Sequence, residues 1–103
     1  GGRHIMACGQ QVMLNVIEHG LSIQAAISAP RIDPVTEVTT YDDRIDADVV
    51  ERLEAMGHRM VPVALEQDPY TWDFAQPTGV MLDEEGVLRA GADPWVRAEA
   101  RGF

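Results

Sequence analysis

The chain has no lysine, a single cysteine and no apolar run near the length of a membrane span, and each shortage narrows what it can do. Cys8 has no second thiol with which to close an internal disulfide and no histidine pair at metal-ligand spacing beside it, so it reads as a small buried apolar side chain. A membrane helix needs roughly 20 consecutive apolar residues, and no segment approaches that, so no membrane contact is expected from this stretch. All eight basic residues are Arg, set against 17 acidic ones, and the net charge of -9 repels phosphate backbones and anionic lipid heads. Nucleic acid is therefore not an expected partner. The opening carries no signal-peptide pattern, and there is no repeat, low-complexity tract or linker, so residues 1–103 are read as one unit. A hydrophobic content of 46% suits one modest core.

Local signals divide the chain into helices early and strands late. Apolar residues at Ile5, Met6, Met13, Val16 and Ile17, with Val12 beside them, predict an amphipathic helix over Ile5 to Glu18, ended by Gly20. Ser22 is a suitable N-cap for a second, short helix with an apolar face of Ile23, Ala26 and Ile27, and Pro30 stops it by forcing Ala29 toward extended geometry. Thr36 to Tyr41 reads as a strand after a turn at Asp33-Pro34. Asp46 can cap a third helix whose face is Val49, Val50, Leu53 and Met56, with Gly57 at its end. Arg59 to Leu65 reads as a strand held to an edge or bulge by Pro62. After a polar loop over 66–72, Phe74 to Leu82 and Val87 to Ala90 form a hairpin around Asp83-Glu84-Glu85-Gly86. This order predicts an α+β arrangement rather than alternating βαβ units.

The residue types that carry chemistry are scattered. His4, His19 and His58 sit on three segments with no partner at i+3 or i+4, so no metal site is expected. Asp42-Asp43 and Asp46-Asp48 lack the ligand spacing and closing Glu of a calcium loop, and capping and solvation account for them. Ser22 and Ser28 have no Gly-x-Ser-x-Gly context.

Five short blocks in fixed order are more informative: Gly1-Gly2-Arg3, Asn15-Val16-Ile17-Glu18-His19-Gly20-Leu21-Ser22, Ala29-Pro30-Arg31, Gly57-His58 and Gly91-Ala92-Asp93-Pro94. Together they resemble the C-terminal part of the small subunit of γ-glutamyltranspeptidases, or glutathione hydrolases, from Gly1 to about Phe103. The resemblance implies that residues 1–103 are a C-terminal fragment of a catalytic domain, part of the four-layer αββα sandwich of N-terminal-nucleophile hydrolases. In that family the nucleophile is the N-terminal threonine of a self-cleaved small subunit, and no Thr of this chain matches it. The partners implied are the upstream part of the same precursor, comprising the large subunit and the start of the small one, and a γ-glutamyl small-molecule substrate such as glutathione. No cofactor is implied. The site residues implied are Gly1 and Gly2, whose backbone N–H groups would stabilise the oxyanion in the intact parent. Glycine suits that task because a chain without Cβ approaches the reacting carbon closely.

Arg31 is expected to be a structural clamp, and Asp93 and Pro94 match a family Asp-Pro-Arg signature in which Trp95 stands for the Arg, removing a charged fork. Gly57-His58 is assigned a packing role. At the terminus the family's Gly-x-Ala-x-Gly-Tyr pattern survives only as Gly102-Phe103. The resemblance points to the periplasm or the extracellular side, with the cytoplasm left open. Two other readings are kept: a related acylase of the same class, and a non-catalytic binding module that retains the fold without the nucleophile.

Overall fold

The computed structural model describes residues 2–67 and 74–101. Gly1, most of the loop expected over 66–72 and the Gly102-Phe103 pair lie outside the described residues. The elements are α1 (His4–Ile17), α2 (Ile23–Ser28), β1 (Ile32–Asp33), β2 (Thr39–Asp42), α3 (Ala47–Ala55), β3 (Met60–Val63), β4 (Thr78–Leu82) and β5 (Leu88–Ala92).

Three strands form one sheet in the order β1-β2-β3, with β1 antiparallel to β2 and β2 parallel to β3. The parallel pair is joined through α3, so the α+β fold contains one local βαβ unit that the sequence order did not suggest. Pro62 lies on β3 opposite Tyr41, and among the described residues β3 has a neighbour on one side only, which is the position a residue without an N–H tolerates. β4 and β5 form a separate hairpin with Leu82 opposite Leu88 and Gly79 opposite Gly91. Its turn is closed by Asp83, whose carboxylate accepts from the Glu85 and Val87 N–H groups, and by Gly86 at φ +79.

α2 forms as its sequence signals require. The Ser22 hydroxyl accepts from the Ala25 N–H at 3.2 Å, and Ala29 has left the helix at ψ 145 before Pro30. Ile23, Ala26 and Ile27 are all buried. The helix seats on the hairpin where the glycine pair leaves room. A Cβ on Gly91 would stand 3.0 Å from the Gln24 backbone, and one on Gly79 would stand 3.0 Å from Ile23 Cδ1. Gln24 completes the contact by bonding both the N–H and the carbonyl of Ala92.

Two helices depart from expectation. In α3 the Asp46 side chain makes no capping hydrogen bond, and only Val50 of the expected face is buried, with Met56 exposed. Its C-terminus behaves as expected: Gly57 at φ +101 lets its N–H reach the Glu54 carbonyl and the His58 N–H reach the Leu53 carbonyl, so His58 serves the helix end. In α1 the polar stripe His4, Cys8, Gln11 and Asn15 faces inward, each residue bonded to a partner between Ala26 and Asp33. Of the apolar residues that predict this helix, Ile5, Met6, Met13 and Ile17 are exposed, whereas Val12 and Val16 are half-buried.

Candidate functional site

The polar stripe of α1 builds a densely bonded region. At the first turn His4 Nδ1 lies 2.7 Å from Asp33 Oδ2, and the other Asp33 oxygen accepts from the Val35 N–H. One turn on, Cys8 meets Arg31. Next, Gln11 imitates a strand partner, accepting from the Ile32 N–H and donating to the Ile32 carbonyl. Asn15 then donates to the Ala26 carbonyl. The i, i+4, i+7, i+11 spacing places these four side chains on one face, which docks α1 against the α2–β1 segment.

Arg31 is the centre of this region and is 3% exposed. Its guanidinium donates to Cys8 Sγ at 2.6 Å and to the Ala75 carbonyl at 3.3 Å, stands 3.6 Å from Asp93 Oδ2 and lies over the Phe74 ring. Asp93 is 4% exposed, its second oxygen accepts from the Trp95 N–H, and its own N–H donates to the Pro77 carbonyl. A buried guanidinium is tolerable only when its charge is met and its donors find partners, and here Asp93 meets the charge while Cys8 and the Ala75 carbonyl accept hydrogen bonds. Arg31 and Asp93, chosen from separate blocks, are thus brought together, whereas Pro94 is exposed beside them.

Trp95 does not undo the ion pair. Asp93 turns to Arg31, and the Trp95 ring takes the Arg44 guanidinium at 4.9 Å. Arg44 in turn bonds both oxygens of Asp42, which is fully buried, and donates to the Ser28 carbonyl. Solvation therefore does not account for Asp42, although it suits the exposed Asp43.

Cys8 is buried as expected, but its role is polar as well as apolar. Burial raises the thiol above its ordinary range, and the adjacent Arg31 opposes that shift without cancelling it. It is a neutral partner for the guanidinium rather than a nucleophile. No sequence signal marks it, because the contact spans two distant segments.

Gly2 lies in the turn that leads into α1, at φ +56, exposed, with open space where a Cβ would stand. Its carbonyl accepts weakly from the Ile5 N–H at 3.4 Å, and Arg3 gives the helix no side-chain cap. Two residues on, His4 ties this end of α1 to the buried Asp33. The glycine turn is therefore linked through α1 to the Arg31–Asp93 clamp. A separate cleft of about 440 Å³ runs between Gly20–Gln24 and the hairpin, where Asp83 and Arg89 pair with each other. Among the described residues no three His, Cys, Asp or Glu side chains gather to hold a metal ion, and no helix is long and apolar enough to cross a membrane.

Residues 1–103 match the gamma-glutamyltranspeptidase family throughout. The glutathione hydrolase proenzyme of Bacillus subtilis (strain 168) is 35% identical over 95 residues, covering 90% of this chain and 15% of the relative. Among solved structures, a mutant of Helicobacter pylori gamma-glutamyltranspeptidase superposes with TM-score 0.69 at 25% identity, covering 93% of this chain and 50% of that one. The cephalosporin acylase of Bacillus halodurans superposes with TM-score 0.74 at 28% identity, covering 93% of this chain and 18% of that one. The chain thus spans about a seventh of the Bacillus subtilis precursor and half of the Helicobacter pylori chain. With its blocks, its α+β fold and its full-length match in agreement, the chain belongs to the γ-glutamyltranspeptidase family.

Proposed function

We propose that this chain is the C-terminal portion of the small subunit of an N-terminal-nucleophile enzyme that transfers or hydrolyses γ-glutamyl groups of glutathione and related amides. In the parent, an N-terminal Thr hydroxyl attacks the γ-glutamyl carbonyl with its own α-amine as base, the amine leaves, and water or an acceptor amine releases the acyl group. Gly1 and Gly2 supply backbone N–H groups to the oxyanion of the tetrahedral intermediate. The observation that carries this reading is Gly2: it holds a positive φ before an uncapped helix start, with nothing occupying the space beside it. A side chain there would fill the approach a substrate carbonyl needs.

The 103-residue chain alone, with no Thr at the position of the family nucleophile, is expected not to turn over γ-glutamyl substrates. Robust hydrolysis of a γ-glutamyl anilide by the purified chain, blocked by a glutamine analogue, would overturn the assignment. In the full-length parent, Gly2→Val should lower kcat by about 10²–10³, the loss typical of a displaced oxyanion donor, while self-cleavage is less affected. Unchanged kcat removes Gly2 from the site. A second reading, an acylase, is favoured by the likeness to the cephalosporin acylase. A parent that cleaves a cephalosporin side-chain amide and leaves γ-glutamyl anilide intact would select it.

A further inference from the structure

α1 begins with little to hold it. Arg3 offers no side-chain cap, the first turn carries no acidic residue, and the Gly2 carbonyl meets the Ile5 N–H at a long 3.4 Å. A helix end whose N–H groups lack partners frays. Gly2 cannot steady itself, because it has no side chain and open space surrounds the place where a Cβ would stand. The firm contact at this end is His4, the first residue of the helix, whose Nδ1 lies 2.7 Å from Asp33 Oδ2. A carboxylate only accepts, so Nδ1 carries the proton, and a short bond to a charged oxygen is among the stronger hydrogen bonds. The acceptor is fixed in turn: Asp33 is 3% exposed, pairs with Thr40 across the sheet and takes the Val35 N–H on its other oxygen. The remaining docking side chains of α1, Cys8, Gln11 and Asn15, act about 6, 10 and 16 Å farther along the axis at 1.5 Å of rise per residue.

The geometry points to His4 as a positioning residue for the reaction: its bond to Asp33 fixes the turn at Gly2, and with it the direction in which the Gly2 N–H is presented. This role rests on the oxyanion function of Gly2 proposed above. His4 touches no reacting atom in it and acts through Asp33, a buried carboxylate with no part in the chemistry. An oxyanion donor is effective because it is already in place when charge develops, and a misplacement of about 1 Å costs on the order of 10²-fold in rate.

The test is made in the full-length parent, with kcat expressed per active site and sites counted by labelling the nucleophile to completion with a glutamine analogue. Unfolded or uncleaved enzyme is then left out of the comparison. His4→Ala should lower kcat about 10- to 100-fold with KM little changed, the pattern of an interaction made in the transition state. His4→Asn returns an amide N–H to the place of Nδ1 and should restore most of the loss. Ala is the better helix former of the two, so a role in helix formation alone would rank them the other way. Asn15→Ala removes a docking bond at the far end of α1 and should leave kcat per site unchanged. Full kcat in His4→Ala, or an equal loss in Asn15→Ala, overturns the positioning role. Should His4→Ala yield no labelled sites, Asp33→Ala breaks the same bond from its other side and carries the same comparison. Gly2→Val, run beside them, tells the two failures apart. A loss in Gly2→Val without one in His4→Ala removes the positioning role alone, whereas unchanged kcat in Gly2→Val removes the oxyanion reading beneath it.

Discussion

Cys8, Arg31 and Asp93 form a unit in which each residue makes the others tolerable. Burial holds the Cys8 thiol above its ordinary range, with the Arg31 charge pulling the other way. In the unfolded chain that shift is gone, so stability is unaffected while the thiol is neutral in both states and declines as pH rises above the unfolded value toward the folded one. Cys8 should therefore react slowly with a thiol reagent at neutral pH and rapidly in denaturant. Equal rates in both conditions would contradict its burial. Removing Arg31 leaves Asp93 buried and unpaired, and Arg31→Ala in the parent should cost about 3–5 kcal/mol, readable as a fall in denaturant midpoint. Adding Asp93→Asn should recover part of that loss. Asp83 behaves oppositely to Cys8: the Val87 N–H, followed by Arg89, holds its carboxyl below the usual range. The stabilisation is present above the unfolded value and is lost as pH falls through the folded one. Exchange protection of the Val87 amide should drop on acidification, and Asp83→Asn should remove that step.

At the scale of elements, the hairpin and α2 approach as closely as two glycines allow. A Cβ on Gly91 meets the Gln24 backbone, which cannot move without shifting α2, whereas one on Gly79 meets the end of the Ile23 side chain, which can rotate. Gly91→Ala in the parent should cost about 1–3 kcal/mol and Gly79→Ala less, and comparison of the two melting midpoints checks the order. α2 was legible in the sequence to the residue, because the Ser22 cap, the Ile23-Ala26-Ile27 face and Pro30 are all local signals. The hairpin was legible from Gly86 for the same reason, although β4 begins later than the apolar pattern suggested, at Thr78, and β5 is shifted to Leu88–Ala92. The orientation of α1 was not. Periodicity identifies two faces of a helix, and the assumption that the apolar one is buried fails when the polar one has His4, Cys8, Gln11 and Asn15 to bond with. The Arg31–Asp93 pair was half legible, since each block stood out but only the fold brings them together.

The whole molecule is elongated, 45 × 28 × 22 Å, and exposes apolar surface on both α1 and the hairpin. Its radius of gyration is 14.4 Å, where a compact domain of this length has about 13 Å. The first of these surfaces is the outer stripe of α1. On the hairpin, α2 packs against the face that carries Gly79 and Gly91, so strand alternation turns Val80, Leu82 and Leu88 to the other face, where all three are exposed. A two-stranded hairpin covered on one face is marginal by itself, and a bare apolar face normally packs on a second sheet about 10 Å away, as in the layered fold to which the chain belongs. Polar pairs such as His4–Asp33 and Arg44–Asp42 tie its segments together but cannot cover its apolar surfaces. The chain alone is therefore expected to bind a dye that reports exposed apolar surface and to melt over a broad range, even though its charge keeps it dispersed. Adding the remainder of the precursor should remove the dye signal and give one sharp transition, followed by calorimetry on the two samples. Should the chain alone melt sharply, bind no dye and ignore the added portion, its apolar surfaces would be tolerated in water, and the non-catalytic module would become the better reading of the fold.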